Sequence, residues 1–333
     1  MLVPRSRTGR SVVTLIVAAA VVFVTAGAAA AQATVHVVVA FDESQGQNPE
    51  GIAIGRDGTL FVSVSPLGDV WKIPPGSTQP QPFAHVSGIT PGSDFGLLGL
   101  AVDTFGNVYG AVQSANLAAN GVWRFDRTTG DATRLPGTSG MGIANGLAFD
   151  KQMNLYVTDS ARGVIWRIPW GGTASIWSQD PALSGNGSLN LGVPLGVNGI
   201  AIQRGVVTVT NTEQRTVLQI PKVGGQPGTV SVLASLPAGD NPDGVQMDAF
   251  GDAFICMNLA NAVGKVTSSG TMSVVASGGP LDFPSSLVFG TARGYRTSIF
   301  GVNFSISENF GLPSGPGPGV YWFNAGVPGW PTP

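Results

Sequence analysis

The chain has 333 residues, of which 43% are apolar and only 11% charged, with 48 glycines and 24 prolines. That balance excludes a coiled coil and a charge-rich disordered chain, and it suits many short strands joined by many turns around a large core. The formal charge is −2, and no basic cluster follows the first few residues, so nucleic acid and anionic membrane are poor partners.

In chain order, residues 1–33 read as an export signal. Arg5, Arg7 and Arg10 form a basic start, Ser11 to Ala26 is almost wholly apolar, and Ala31-Gln32-Ala33 has the small-x-small form that signal peptidase accepts. An uncleaved anchor is the rival reading, but the apolar run is short for a membrane span. Cleavage would leave 14 basic and 19 acidic side chains, a charge of −5, on a secreted or periplasmic protein with no membrane contact. Cys256 is the only cysteine, so no intrachain disulfide can form, and its apolar strand setting argues against a reactive thiol.

Residues 34–325 carry one pattern over and over: a polar residue, then Gly, an apolar strand, a turn and a second apolar strand. Copies open at Glu50, Leu98, Asn145, Asn198, Asp243 and, in degenerate form, Ser286. Their spacing of 43 to 53 residues matches four-stranded propeller blades. A third strand often carries an aromatic followed by a base, as in Trp71-Lys72, Trp123-Arg124 and Trp166-Arg167; the tryptophans are expected to pack between blades. The predicted fold is all-β, a six-bladed β-propeller with a metal site in its central channel. Thr34–Phe41 and Gly319–Phe323 are expected to pair in one blade and close the ring. Residues 326–333, rich in Gly and Pro, are expected to form a loose tail.

The innermost strand of every propeller blade lines the channel, so equivalent repeat positions lie at one height. Four of these positions carry oxygen-bearing side chains: Glu50, Asn145, Asn198 and Asp243. Each is an ordinary turn residue by itself. Together, two carboxylates and two amides converging on one axis would repel or sit unsatisfied unless a cation bound them. Calcium suits such hard oxygen ligands, with magnesium or manganese as alternatives. Zinc is disfavoured, because it prefers Cys and His, and the two histidines, His36 and His85, are not at repeat openings. Strand ends nearest the same mouth nominate Ser65, Gln113, Thr158, Asp159, Asn211 and Asn258. Of these, Asn211 and Asn258 are the preferred substrate contacts, with Thr158 and Gln113 beside them. Loops 87–95 and 179–196 are long enough to act as lids.

The motifs Pro49-Glu50-Gly51, Asn145-Gly146-Leu147-Ala148-Phe149-Asp150, Asn198-Gly199-Ile200-Ala201 and Pro242-Asp243-Gly244-Val245 resemble those of the senescence marker protein/gluconolactonase family, which is related in form to paraoxonase and diisopropyl fluorophosphatase. The resemblance runs from about residue 40 to 325. It implies that Glu50, Asn145, Asn198 and Asp243 bind the metal, and that a small-molecule lactone or ester is hydrolysed; the protein is expected to be a monomer. Asp243 would also serve as base or nucleophile. Ile143 stands where sugar-lactone hydrolases of the family often carry Arg, a departure that weighs against gluconolactone itself. A non-catalytic binding propeller with a structural metal is the alternative.

Overall fold

The computed structural model describes residues 32–331; the export-signal segment lies almost wholly outside that range. Six antiparallel sheets account for nearly all of the regular structure, and among the described residues the helical pieces are single 3-10 turns of three or four residues. Blade 1 is built from Pro49–Ile54, Leu60–Val64, Asp69–Ile73 and Gln81–His85; blade 2 from Gly96–Val102, Val108–Gln113, Gly121–Phe125 and Ala132–Arg134. Blade 3 comprises Ala144–Phe149, Leu155–Asp159, Val164–Ile168 and Ser175–Gln179; blade 4 comprises Val197–Gln203, Val206–Asn211, Thr216–Val223 and Ser231–Ser235, with Gln226–Pro227 extending it. Blade 5 is Pro242–Met247, Ala253–Met257, Ala262–Val266 and Met272–Ser277.

Blade 6 contains Pro284–Phe289, Ser298–Asn303 and Gly319–Asn324, and its outermost strand is the N-terminal His36–Ala40. His36 lies opposite Trp322 and Ala40 opposite Gly319, so the two ends of the chain close the ring as the sequence suggests. Closure also leaves no open end to the row of inner strands, because Pro49–Ile54 packs against both Gly96–Val102 and Pro284–Phe289.

The core is six wedges, one between each pair of blades. Val70, Val86, Leu97 and Phe125 fill the wedge between blades 1 and 2, and Phe254, Leu287, Ile299 and Phe323 that between blades 5 and 6. A four-stranded blade cannot bury both faces alone, so every blade depends on its neighbours. The three repeating tryptophans sit in these wedges: Trp71 between blades 6 and 1, Trp123 between 1 and 2, Trp166 between 2 and 3.

Two expectations are corrected. Residues 328–331 are no loose tail: Ala249 N donates to Pro328 O at 2.9 Å, Trp330 N donates to Met247 O at 2.8 Å, and the indole packs on the wedge between blades 4 and 5. Backbone hydrogen bonds and the indole's apolar area hold the segment down in spite of its Gly and Pro content. The sixth repeat also opens one residue earlier than expected. Pro284 pairs with Asn303 as Pro49 pairs with Val64, which makes Ser285 the equivalent of Glu50. Two adjacent serines and the missing Gly conceal that register in the sequence.

The residue after each opening position controls how closely neighbouring blades approach. A Cβ at Gly51 would lie 2.4 Å from Leu98 O; at Gly99, 2.4 Å from Asn145 O; at Gly146, 2.5 Å from Asn198 O; at Gly199, 2.3 Å from Asp243 O. No real Cβ fits such a gap, so only Gly lets the inner strands converge. Gly199→Ala is therefore expected to lower unfolding stability by roughly 1–3 kcal/mol through overpacking. Gly140→Ala, where the added methyl meets open space, should change it by less than about 0.5 kcal/mol. Equal thermal melting midpoints for the two variants would contradict this account of the ring.

Candidate metal centre

The four oxygen-bearing residues do meet. Glu50, Asn145, Asn198 and Asp243 line one small space in the channel, of about 40 Å3, above a ring of aliphatic side chains that includes Ile52, Leu100, Leu147, Ile200 and Leu287. Each has only 6 to 8% of its surface exposed. The other two positions of the tier are filled by Leu98 and Ser285, and Ser285 Oγ is committed elsewhere, donating to Glu50 O at 2.7 Å.

Their backbones are turned away from the axis. Thr158 Oγ1 accepts from Gly146 N at 2.8 Å and donates to Asn198 O; Thr210 Oγ1 accepts from Gly199 N at 2.8 Å and donates to Asp243 O. Each hydroxyl thus ties a glycine of one blade to the ligand carbonyl of the next, and side-chain oxygens alone face inward.

A second tier orients those side chains. Ser160 Oγ donates to Val197 O at 2.8 Å, so it can only accept from Asn145 Nδ2, 3.3 Å away. Thr212 Oγ1 donates to Pro242 O at 2.9 Å and accepts from Asn198 Nδ2 at 2.9 Å. With the nitrogen held outward, each amide presents its oxygen to the axis. Asn258 Nδ2 completes the tier, donating to Asp243 Oδ2 at 3.0 Å and to Pro284 O at 2.9 Å.

Two acceptors are left with nothing. Glu50 Oε2 and Asn198 Oδ1 are buried and without a hydrogen-bond partner. Burial, and then the neighbouring Asp243 charge, push the Glu50 carboxyl well above its ordinary range. Burial likewise raises Asp243 to about 7, against the opposing pull of the hydrogen bond from Asn258. Unpaired buried acceptors beside two carboxylates that repel each other are what a hard divalent cation would satisfy, and the donor set fits one. Among the described residues no cluster of three or more His, Cys, Asp or Glu offers a different metal site.

The rim residues expected from the sequence divide in two. Asn258 touches Asp243 and belongs to the centre. Asn211 does not: it is fully buried, and its Nδ2 donates to Ala182 O and Ser184 O while its Oδ1 accepts from Gln214 N. Thr158 is occupied by the backbone bonds described above. Gln113 Oε1 accepts from Phe95 N at 2.6 Å, Ser65 Oγ donates to Phe95 O, and Asp159 accepts from Gly142 N and Ile143 N. None of these five lines the central space. The residues that orient the amides, Ser160 and Thr212, are the next in line after Asp159 and Asn211. Consecutive polar residues at each strand end conceal which one faces inward.

The loops expected as lids are tethered. The buried carboxylate of Glu213 accepts from Asn186 N, Gly187 N and Leu189 N at 2.6 to 3.2 Å, and Asp94 accepts from Thr90 N and Ala115 N. Cys256 is buried with its thiol pushed well up by burial, in keeping with an unreactive side chain.

Fold and centre together define a six-bladed propeller with an oxygen-lined channel site. The solved structures it is similar to include a putative gluconolactonase, 16% identical, covering 91% of this chain and 96% of that one at a TM-score of 0.66. They also include the calcium-binding protein regucalcin from Agrobacterium tumefaciens (14% identity, 89% and 95% coverage, TM-score 0.64). A PQQ-bound aldose sugar dehydrogenase from Streptomyces coelicolor is similar too (18% identity, 89% and 99% coverage, TM-score 0.59). These likenesses show the propeller fold of the gluconolactonase and regucalcin type, and the dehydrogenase shows that the same fold carries other chemistry. No family model and no curated protein matches the chain.

Two measurements test the centre. Glu50 and Asp243 hold protons more tightly folded than unfolded, so the metal-free protein should lose stability as pH rises from about 4 through about 7. In chelator, the melting midpoint is expected to be lower at about pH 8 than at about pH 5, with calcium raising it more at the higher pH. A chelated protein as stable at the higher pH would show that the two acids are not apposed. Thr212→Val, which removes the acceptor for Asn198 Nδ2, should weaken calcium binding by roughly 10–100-fold in calorimetry; unchanged affinity would remove Asn198 from the ligand set.

Proposed function

We propose that Glu50, Asn145, Asn198 and Asp243 hold one divalent cation, calcium before magnesium or manganese, and that the protein hydrolyses a lactone or related ester at that centre. The observation that carries the reading is the inward convergence of two buried carboxylates and two pre-oriented amide oxygens, two of whose oxygens lack any partner. The bound cation supplies Lewis acidity to a carbonyl oxygen and charge stabilisation to the oxyanion formed on attack.

The protein's own groups do the rest. Glu50 contributes full negative charge from one side of the channel. Asn145 and Asn198 contribute neutral oxygens held in place by Ser160 and Thr212, fixing geometry without adding charge. Asn258 holds Asp243 Oδ2, which aims the carboxylate; Asp243 then either takes the proton of an attacking water or attacks the carbonyl carbon itself. The enclosed space of about 40 Å3 admits an ion and a reacting group, so the body of the substrate lies outside it. Leu98 in the tier and Ile143, buried two residues before Asn145, have aliphatic side chains that offer no hydrogen bond to a polyhydroxylated substrate. Aliphatic lactones and aryl esters are accordingly placed ahead of sugar lactones.

One observation favours a second reading, a non-catalytic propeller with a structural metal. Asn211, Thr158 and Gln113 face the backbone and leave few polar groups free to bind substrate. We also propose that residues 1–33 direct export to the periplasm or medium and that the mature protein is a monomer; the N-terminal sequence and mass of the protein recovered from the medium or periplasm test both.

The deciding experiment measures hydrolysis of a panel of aliphatic lactones, sugar lactones and aryl esters with calcium, with chelator, and with Asp243→Asn. Turnover is expected that requires metal and falls at least about a thousandfold in the variant. Calcium binding without turnover of any compound would sink the hydrolase reading and leave the binding propeller.

A further inference from the structure

The inner strands that bring the ligands together at their first residues end in a second feature. At the opposite end of the channel is a cavity of about 600 Å3, in the size range of small-molecule sites. The cavity arises because the residue three after the repeat opening is Ala in four blades, Ala53, Ala101, Ala148 and Ala201, and all four line it. Four of the six converging strands bear such a short side chain there, with Gln246 and Val288 on the other two, and the axis is left unfilled. The aliphatic tier containing Leu100, Leu147 and Ile200 forms its floor and separates it from the polar centre.

The mouth is built rather than open. Residues 328–331 cross it as a strap: Gly329 N donates to Arg296 O at 3.3 Å, and a Cβ at Gly329 would lie 2.2 Å from Phe289, so the strap is pressed onto the cavity wall. Trp330 forms an aromatic side, with Arg204 and Lys151 lying 5.2 and 5.7 Å from its ring. Arg56 and Arg296 line the same cavity and have no carboxylate within 4 Å among the described residues. They come from neighbouring turns, drawn together where Thr291 Oγ1 donates to Gly55 O at 2.7 Å.

The only acid in the lining is Asp103, one negative charge against the two guanidiniums, and its oxygens are engaged by neighbouring donors. Its Oδ1 accepts from Phe105 N and Asn107 N, and its Oδ2 from Asn107 Nδ2 and Tyr109 OH. The mouth therefore carries a positive field over an apolar interior.

We propose that this far cavity is a second small-molecule site, one that binds an amphiphilic carboxylate with its apolar body in the channel and its anionic head on Arg56 and Arg296. The apolar walls account for the body, and two guanidiniums with no carboxylate partner among the described residues account for the head. Trp330 covers one side of the bound molecule. The site is independent of the metal centre and of any hydrolysis there.

The test is calorimetric titration of the protein, in chelator, with octanoate and in parallel with octan-1-ol. Saturable one-site binding of octanoate is expected, at least about tenfold tighter than octan-1-ol. The double variant Arg56→Gln/Arg296→Gln, confined to exposed side chains, should abolish that preference. Ala101→Phe, which fills the cavity, should abolish binding of both compounds, provided its melting curve shows it folded. Asp243→Asn should bind octanoate as the parent does. The proposal is overturned if octanoate does not bind, if octan-1-ol binds equally well, if the double variant keeps the preference, or if Asp243→Asn removes binding and so places octanoate at the polar centre.

Discussion

The close approach of neighbouring inner strands is the constraint on which the rest depends. At Gly51, Gly99, Gly146 and Gly199 the next blade's carbonyl stands where a Cβ would be. Were those strands held apart by even a methyl group, the residues just before them would stand farther from the axis, and four oxygens on four blades would no longer share one ion-sized space. The wedges between blades impose the same demand from outside, because each buries its apolar residues only against its neighbour. Closure by His36–Ala40 against Gly319–Asn324 removes the last free edge, so the channel width is fixed by the whole ring.

Close approach brings backbone carbonyls near the axis as well, and these must be satisfied without filling the centre. Thr158 and Thr210 do so for Asn198 and Asp243, and Ser285 does so for Glu50. The second tier of Ser160, Thr212 and Asn258 then settles which way the Asn145, Asn198 and Asp243 side chains point. The centre is thus polar in its outer shells and deficient only at its middle, where Glu50 Oε2 and Asn198 Oδ1 have no donor. That deficiency suits a cation, because the repulsion between two buried carboxylates is relieved by positive charge, as it is by protons when none is bound.

The repeat phase was enough to place Glu50, Asn145, Asn198 and Asp243 at one height, since a period near 47 residues survives drift in the loops. The strand ends were harder. Thr158-Asp159-Ser160 and Thr210-Asn211-Thr212 are each three polar residues in a row, and a bulge after the first residue of the inner strand shifts the facing by one. Asn258 could be singled out because hydrophobic Met257 precedes it. The C-terminal strap was illegible for a related reason: Gly and Pro forecast irregular backbone correctly, but whether irregular backbone is loose or bound depends on a partner, here Met247 and Ala249 on blade 5.

The four oxygen-bearing residues are spread unevenly around the ring. Asn145, Asn198 and Asp243 occupy three successive blades, while Glu50 stands alone between blade 2 and blade 6, whose equivalent residues are Leu98 and Ser285. Leu98 cannot donate or accept, and the Ser285 hydroxyl is held by Glu50 O. The two sectors flanking Glu50 are therefore the ones without protein ligands, and water or a substrate oxygen would complete the coordination of a cation there. A symmetric ring of six ligands would enclose the ion and serve structure alone. This ring sets its two carboxylates on either side of the Ser285 sector and leaves a second open sector at Leu98, an arrangement that would let something besides the protein reach a bound cation.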